Sequence, residues 1–191
     1  MNDFLFYLNQ GFFHILDLEG TDHLLFITLL CARYQLTDWK KVITLLTSFT
    51  VGHSISLFFT AMGYRFISSE TVEFLIPLTI FLTGAYNLVS QKQKEQLFVS
   101  YIIALLFGII HGMGFSNFFQ AMMMGIDDNL IFPLLAFNMG IEVGQLLIVF
   151  IFMILTFIYL KYARQDEKYW RITINLLGTS IAFWWTISNL I

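Results

Sequence analysis

Six long apolar stretches, at about 14–35, 42–63, 71–90, 97–123, 130–160 and 170–190, make up nearly all of this 191-residue chain. A helix that crosses the hydrocarbon core of a bilayer needs about 20 consecutive, mostly apolar residues. The breaks between the stretches are short. Those at 33–41, 64–70, 91–96 and 161–171 hold the basic clusters and turn residues, and the acidic turn Asp127-Asp128-Asn129 makes the fifth. Only 12% of the residues are charged against 58% hydrophobic, and a soluble fold this small has too little interior to hide so much apolar surface. The expected fold is therefore all-α: a polytopic integral membrane bundle of six transmembrane helices, a single domain over residues 1–191. This composition excludes a disordered tail and a nucleic-acid binder. The single cysteine, Cys31, excludes a disulfide framework and a thiolate metal cluster, and is read as a small apolar residue.

Charge placement gives the orientation. With six spans and alternating loops, one face receives Arg33, Lys40, Lys41, Lys92, Lys94, Lys161, Arg164, Lys168 and Arg171, and the other only Arg65. Lys and Arg are retained on the cytoplasmic side, so both termini are expected outside a bacterial inner membrane. Phe4–Leu16 is apolar but too short to span alone. It lacks the basic n-region and small-residue cleavage site of a signal peptide. It is expected to form a short outer-face or re-entrant helix that turns near Gly20 into the first full span. Trp39, Trp184 and Trp185 read as interfacial anchors, and Met122-Met123-Met124 as apolar filler at a span end.

All four histidines, His14, His23, His53 and His111, fall in or beside apolar segments, and Asp22, Glu73 and Glu142 join them. Ionisable groups in hydrocarbon cost about 2.5–3.5 kcal/mol at mid-helix on insertion scales, and usually face the bundle interior along an ion or substrate path. Counting from the helix starts at about 1.5 Å per residue puts His53 and His111 near the midplane. Asn138, Glu142 and Gln145 share one helical face by their spacing. Imidazoles with carboxylates suit a borderline divalent ion such as Ni²⁺, Co²⁺ or Zn²⁺. Gly108/Gly112 and Gly140/Gly144 are GxxxG pairs that let helix backbones approach closely, and each brackets an ionisable residue. Plainer readings stand beside these. Asp22–His23 reads also as a helix-entry pair, and His53 as bonded through Thr50 or Ser54. Glu73 reads as a hydrated helix-start carboxylate, and Asn138 and Gln145 as packing contacts.

Five segments together resemble the HupE/UreJ family of bacterial membrane proteins, in its second, shorter branch. They are Gly11-Phe-Phe-His14-Ile-Leu with Asp22-His23-Leu-Leu-Phe26; Phe49-Thr50-Val51-Gly52-His53-Ser54-Ile55-Ser56-Leu57; Val72-Glu73-Phe74-Leu75-Ile76-Pro77; Phe107-Gly108-Ile-Ile-His111-Gly112-Met113-Gly114-Phe115; and Phe137-Asn138-Met-Gly140-Ile-Glu142-Val-Gly144-Gln145. The resemblance implies a nickel/cobalt permease-like role, with the HxxxxxDH-type element handling metal. Here seven residues separate His14 from Asp22, two more than that element holds. On a continuous helix the excess turns His14 by roughly 200°, whereas a loop absorbs it.

The function expected is a membrane permease for a divalent cation. Asp17, Glu19 and Asp22 would attract the ion, and the metal residues would be Asp22, His23, His53, His111, Glu142, His14, Asn138 and Gln145. No nucleotide-binding GxxxxGK[ST] loop occurs in the sequence. Two alternatives stay open. One is an intramembrane zinc hydrolase resembling the lipid amidases, with the metal as a ligand, though no helical HExxH pair is present. The other is a non-transporting subunit of a membrane complex. The partners expected are the lipid bilayer and the metal cation, with homo-oligomers or membrane-complex partners left open and nucleic acid excluded.

Overall fold

The structure is a computed structural model that describes residues 3–17, 20–64, 66–89, 97–123, 130–163 and 166–190. Glu19, Arg65, Lys92, Lys94, Met124, Asp127, Asp128, Asn129 and Arg164 lie outside the described residues. The described residues form α1 (Asp3–Leu16), α2 (Thr21–Ala32), a short 3-10 turn (Leu36–Asp38), α3 (Trp39–Ala61), α4 (Ser69–Val89), α5 (Leu97–Met123), α6 (Ile131–Ala163) and α7 (Glu167–Ser188), with no strand among them. Asp38 holds the entry to α3. Its carboxylate accepts from the Gln35 backbone N–H at 3.3 Å and pairs with Lys41 at 2.8 Å. The Lys41 hydrogen bond, chiefly, keeps that carboxyl below its ordinary range.

Four helices, α3 to α6, are long and apolar enough to cross a membrane. Many of their large apolar side chains face outward, among them Phe98, Ile131, Leu135 and Phe150, as lipid contact requires. A multi-pass membrane protein follows. α2 is apolar but has only 12 residues. α7 opens on Glu167 and Lys168, and its apolar run is interrupted by Asn175, Thr179 and Thr186. Each of these three donates to a carbonyl one turn back in its own helix.

Glycines set the closest helix contacts. A Cβ on Gly52 of α3 would collide with the Leu105 carbonyl of α5, one on Gly108 with the Phe49 carbonyl, and one on Gly112 with Ser56 and the His53 carbonyl. The α1–α6 pair repeats the device. Gly11 lies against the Phe137 carbonyl, Gly140 against that of Leu8 and Gly144 against that of Phe12. In both pairs the residue numbers rise together, so the two helices run in the same sense.

The other contacts fix the remaining senses. Phe81 meets Phe183, and Asn87 meets Asn175, so α4 and α7 are antiparallel. Trp170 stacks on Tyr159 and donates to Thr156, so α7 reverses α6. Leu25 and Leu29 flank Gly178, and the Ala32 carbonyl accepts from Arg171, so α2 is antiparallel to α7. It follows that α1 and α2 run in one sense. The turn expected near Gly20 is present, since α1 ends at Leu16 and α2 begins at Thr21, but the span expected over 14–35 is not one helix: its residues belong to two short helices of like direction. At about 1.5 Å per residue, 14 and 12 residues give about 21 and 18 Å. Neither length crosses a hydrocarbon core of about 30 Å alone.

Candidate metal centre

The break between α1 and α2 brings three candidate ligands to one place. His14 lies in the last turn of α1, and Asp22 and His23 lie in the first turn of α2. His53 comes from the middle of α3 and His111 from the middle of α5, where the glycine contacts draw these two helices together. The four imidazoles converge. Ring centroids are 5.0 Å apart for His14–His23, 5.4 Å for His23–His111, 5.9 Å for His23–His53 and 6.0 Å for His14–His53. α1 ends at Leu16 and α2 begins at Thr21, so His14 and Asp22 do not share one helix, and His14 lies beside His23.

Two triads can be drawn through the shared His23: His14, His23 and His53, and Asp22, His23 and His111. In each, one ligand atom per residue lies within 4.8 Å of the others. Two metal–nitrogen bonds of about 2.1 Å span at most about 4.2 Å, so small side-chain rotations close either triad on an ion. Asp22 Oδ1 is 3.1 Å from His23 Nδ1, the carboxylate–histidine pairing that orients a metal-binding ring. Thr79 Oγ1 sits 2.9 Å from His111 Nε2 and fixes that ring from α4.

The remaining ring nitrogens are unusual. His14 Nε2, His23 Nε2, both nitrogens of His53 and His111 Nδ1 are buried without a hydrogen-bond partner. The hydrogen bonds foreseen for His53 go elsewhere: Thr50 donates to Gln145 and Ser54 to the Thr50 carbonyl. Aromatic rings close the cluster. Phe26 and Phe49 stack at 4.8 Å, and both lie against His111. On another side Phe115 lies 3.8 Å from His14 and stacks on Phe137 at 5.3 Å. Phe26 also lines a cavity of about 550 Å³ that reaches Arg33, Asn87 and Ser100.

The acid and amides of α6 stand apart from the triads. Glu142 Oε1 accepts from Thr47 at 2.5 Å, and Gln145 is wholly buried beside Thr50 at 3.1 Å. Asn138 donates to the Leu134 carbonyl of its own helix, leaving its buried Oδ1 without a partner. Glu73 is exposed, in keeping with a hydrated helix-start carboxylate. Sequence reasoning missed Thr79 and Thr47. Hydroxyls in apolar helices commonly bond a carbonyl one turn back, as Thr83 and Thr186 do here, and nothing in the sequence separates these two from that majority.

A protein-family model described as "HupE / UreJ protein" matches residues 1–189. No curated protein and no solved structure matches the chain.

Proposed function

The chain belongs to the HupE/UreJ family, and from that premise we propose that it is a membrane permease for a divalent transition-metal cation, nickel or cobalt first and zinc as the further candidate. In this reading residues 1–191 form one transmembrane domain of six spans. The broken α1–α2 run is the first and α7 the sixth. The basic loops face the cytoplasm across a bacterial inner membrane, and both termini lie outside.

The observation that carries the reading is the set of five buried imidazole nitrogens without protein partners. A buried polar group left unsatisfied costs about 1–3 kcal/mol. The five together would cost on the order of 5–15 kcal/mol, as much as the whole stability of a typical domain. Something other than protein therefore meets them in the working molecule: the cation, or the water it displaces. His14, His23, His53 and His111 supply neutral nitrogen donors, and Asp22 supplies charge and orients His23. Three or more imidazoles with one carboxylate and no thiolate select ions of the Ni²⁺, Co²⁺ and Zn²⁺ type over Mg²⁺ and Ca²⁺, which take oxygen ligands. The ion is cargo, and its movement is driven by its gradient, the membrane potential or a partner.

Cellular uptake of nickel, cobalt and zinc, measured for wild type and His111→Ala at equal expression, tests this. Uptake of at least one metal should fall about tenfold or more, the scale on which loss of metal-site partners acts. Unchanged uptake of all three removes the proposal.

A further inference from the structure

Glu142 is a membrane-embedded carboxylate outside both triads. It is half-buried on α6 and accepts a hydrogen bond from Thr47. The Lys41–Asp38 ion pair near the start of α3 does not involve Glu142. Three residues on along α3, Thr50 meets Gln145 of α6. Gln145 is completely buried, with its Oε1 turned toward the Thr50 hydroxyl. Residues three apart on a helix stack as neighbours. Thr47 and Thr50 on α3 and Glu142 and Gln145 on α6 therefore form one polar patch with a carboxylate, two hydroxyls and an amide. Another step of three residues along α3 reaches His53. The stripe Thr47, Thr50, His53 thus joins this patch to the imidazoles and points away from them toward Lys40 and Lys41, at the start of α3.

We propose that Glu142, Thr47, Thr50 and Gln145 form a second cation station, built of oxygen donors and separate from the imidazole cluster. This inference rests on the permease reading and adds the next stop on the path toward the basic end of α3. Its chemistry differs from that of the first. Late first-row divalent ions favour imidazole, whereas carboxylate, carbonyl and hydroxyl oxygens hold them more weakly and tolerate retained water. An ion that leaves the histidines enters a site it can leave again, as passage through a chain of binding sites requires. The carboxylate also offsets the cost of carrying a divalent charge through apolar surroundings.

Titration of the purified full-length chain in detergent with Co²⁺, following bound metal and its optical spectrum, tests the station alongside cellular cobalt uptake. Wild type should bind a tight ion with a nitrogen-ligand spectrum and a second, weaker ion. E142Q should lose the weaker ion, keep the tight ion's spectrum and reduce uptake about tenfold. E142D, which keeps the charge, should recover part of both and guards against a folding defect in E142Q. Two outcomes overturn the station and leave the permease reading standing. In one, E142Q retains both ions and normal uptake. In the other, E142Q and His53→Ala abolish the same single ion, which makes Glu142 part of one centre. A wild-type chain that binds no Co²⁺ at all sinks both.

Discussion

His53 has the most exacting position in the molecule. It is fully buried, both ring nitrogens lack protein partners, and its own backbone carbonyl faces Gly112 of the neighbouring helix. Asp22 plays a different part, holding His23 by Nδ1 so that Nε2 is left to point elsewhere. Asp22→Asn keeps the shape and removes the charge. It should weaken nickel or cobalt binding by about 10- to 100-fold while the chain stays folded, measured by metal titration with thermal unfolding as the control. An unaltered affinity would reduce Asp22 to a helix-entry residue. At this scale the residues that converge in the candidate site were legible in the sequence. All four histidines and Asp22 stood out because ionisable groups are rare in apolar stretches, and the structure brings these five together. What the sequence could not supply was grouping. Asn138, Glu142 and Gln145 share a helical face and so looked like members of the same site, yet a shared face says nothing about which neighbour it meets. For Glu142 and Gln145 that neighbour is the Thr47–Thr50 segment of α3.

At the level of elements, two helix pairs are built alike. α3 with α5 and α1 with α6 each meet through glycines placed against the partner's carbonyls. Gly108/Gly112 and Gly140/Gly144 were readable as close-packing pairs. Gly52 and Gly11, which answer them from the partner helices, were not, since a lone glycine carries no period. Gly112→Ala would push a methyl group into Ser56 and the His53 carbonyl. Overpacking of this kind costs about 1–3 kcal/mol and here displaces a ligand-bearing turn as well. The variant should unfold at lower temperature and bind metal more weakly. A wild-type unfolding midpoint together with wild-type affinity would show that the α3–α5 contact does not position His53. The first apolar stretch was legible in part. A turn near Gly20 was expected after a short helix over Phe4–Leu16, and α1 does end at Leu16 with α2 beginning at Thr21, but the sequence did not show that the second helix has only 12 residues. Interrupted helices recur at transporter binding sites because their ends bring polar groups to mid-membrane, and here the interruption carries His14 to His23.

Over the whole molecule, helix direction alternates from α2 to α7, and α1 runs in the sense of α2. α1 and α7 are therefore antiparallel, and the imidazole cluster lies among α1, α2, α3 and α5. α2 and α7 are tied into the bundle by buried polar contacts: Asn87 reaches both the Leu29 carbonyl and Asn175, and Arg171 the Ala32 carbonyl. The polar side chains among these, Asn175 and Arg171 of α7, satisfy partners inside the bundle while still registering as polar in the sequence. The cluster is flanked by Phe26 and Phe49 on one side and by Phe115 and Phe137 on another. The central claim, that these imidazoles from four helices hold one cation, is tested most directly by X-ray absorption at the nickel edge on the purified chain loaded with stoichiometric Ni²⁺. The account predicts a nitrogen shell with imidazole scattering that is lost in His53→Ala. An oxygen-only shell, or a nitrogen shell unaffected by that substitution, would contradict it.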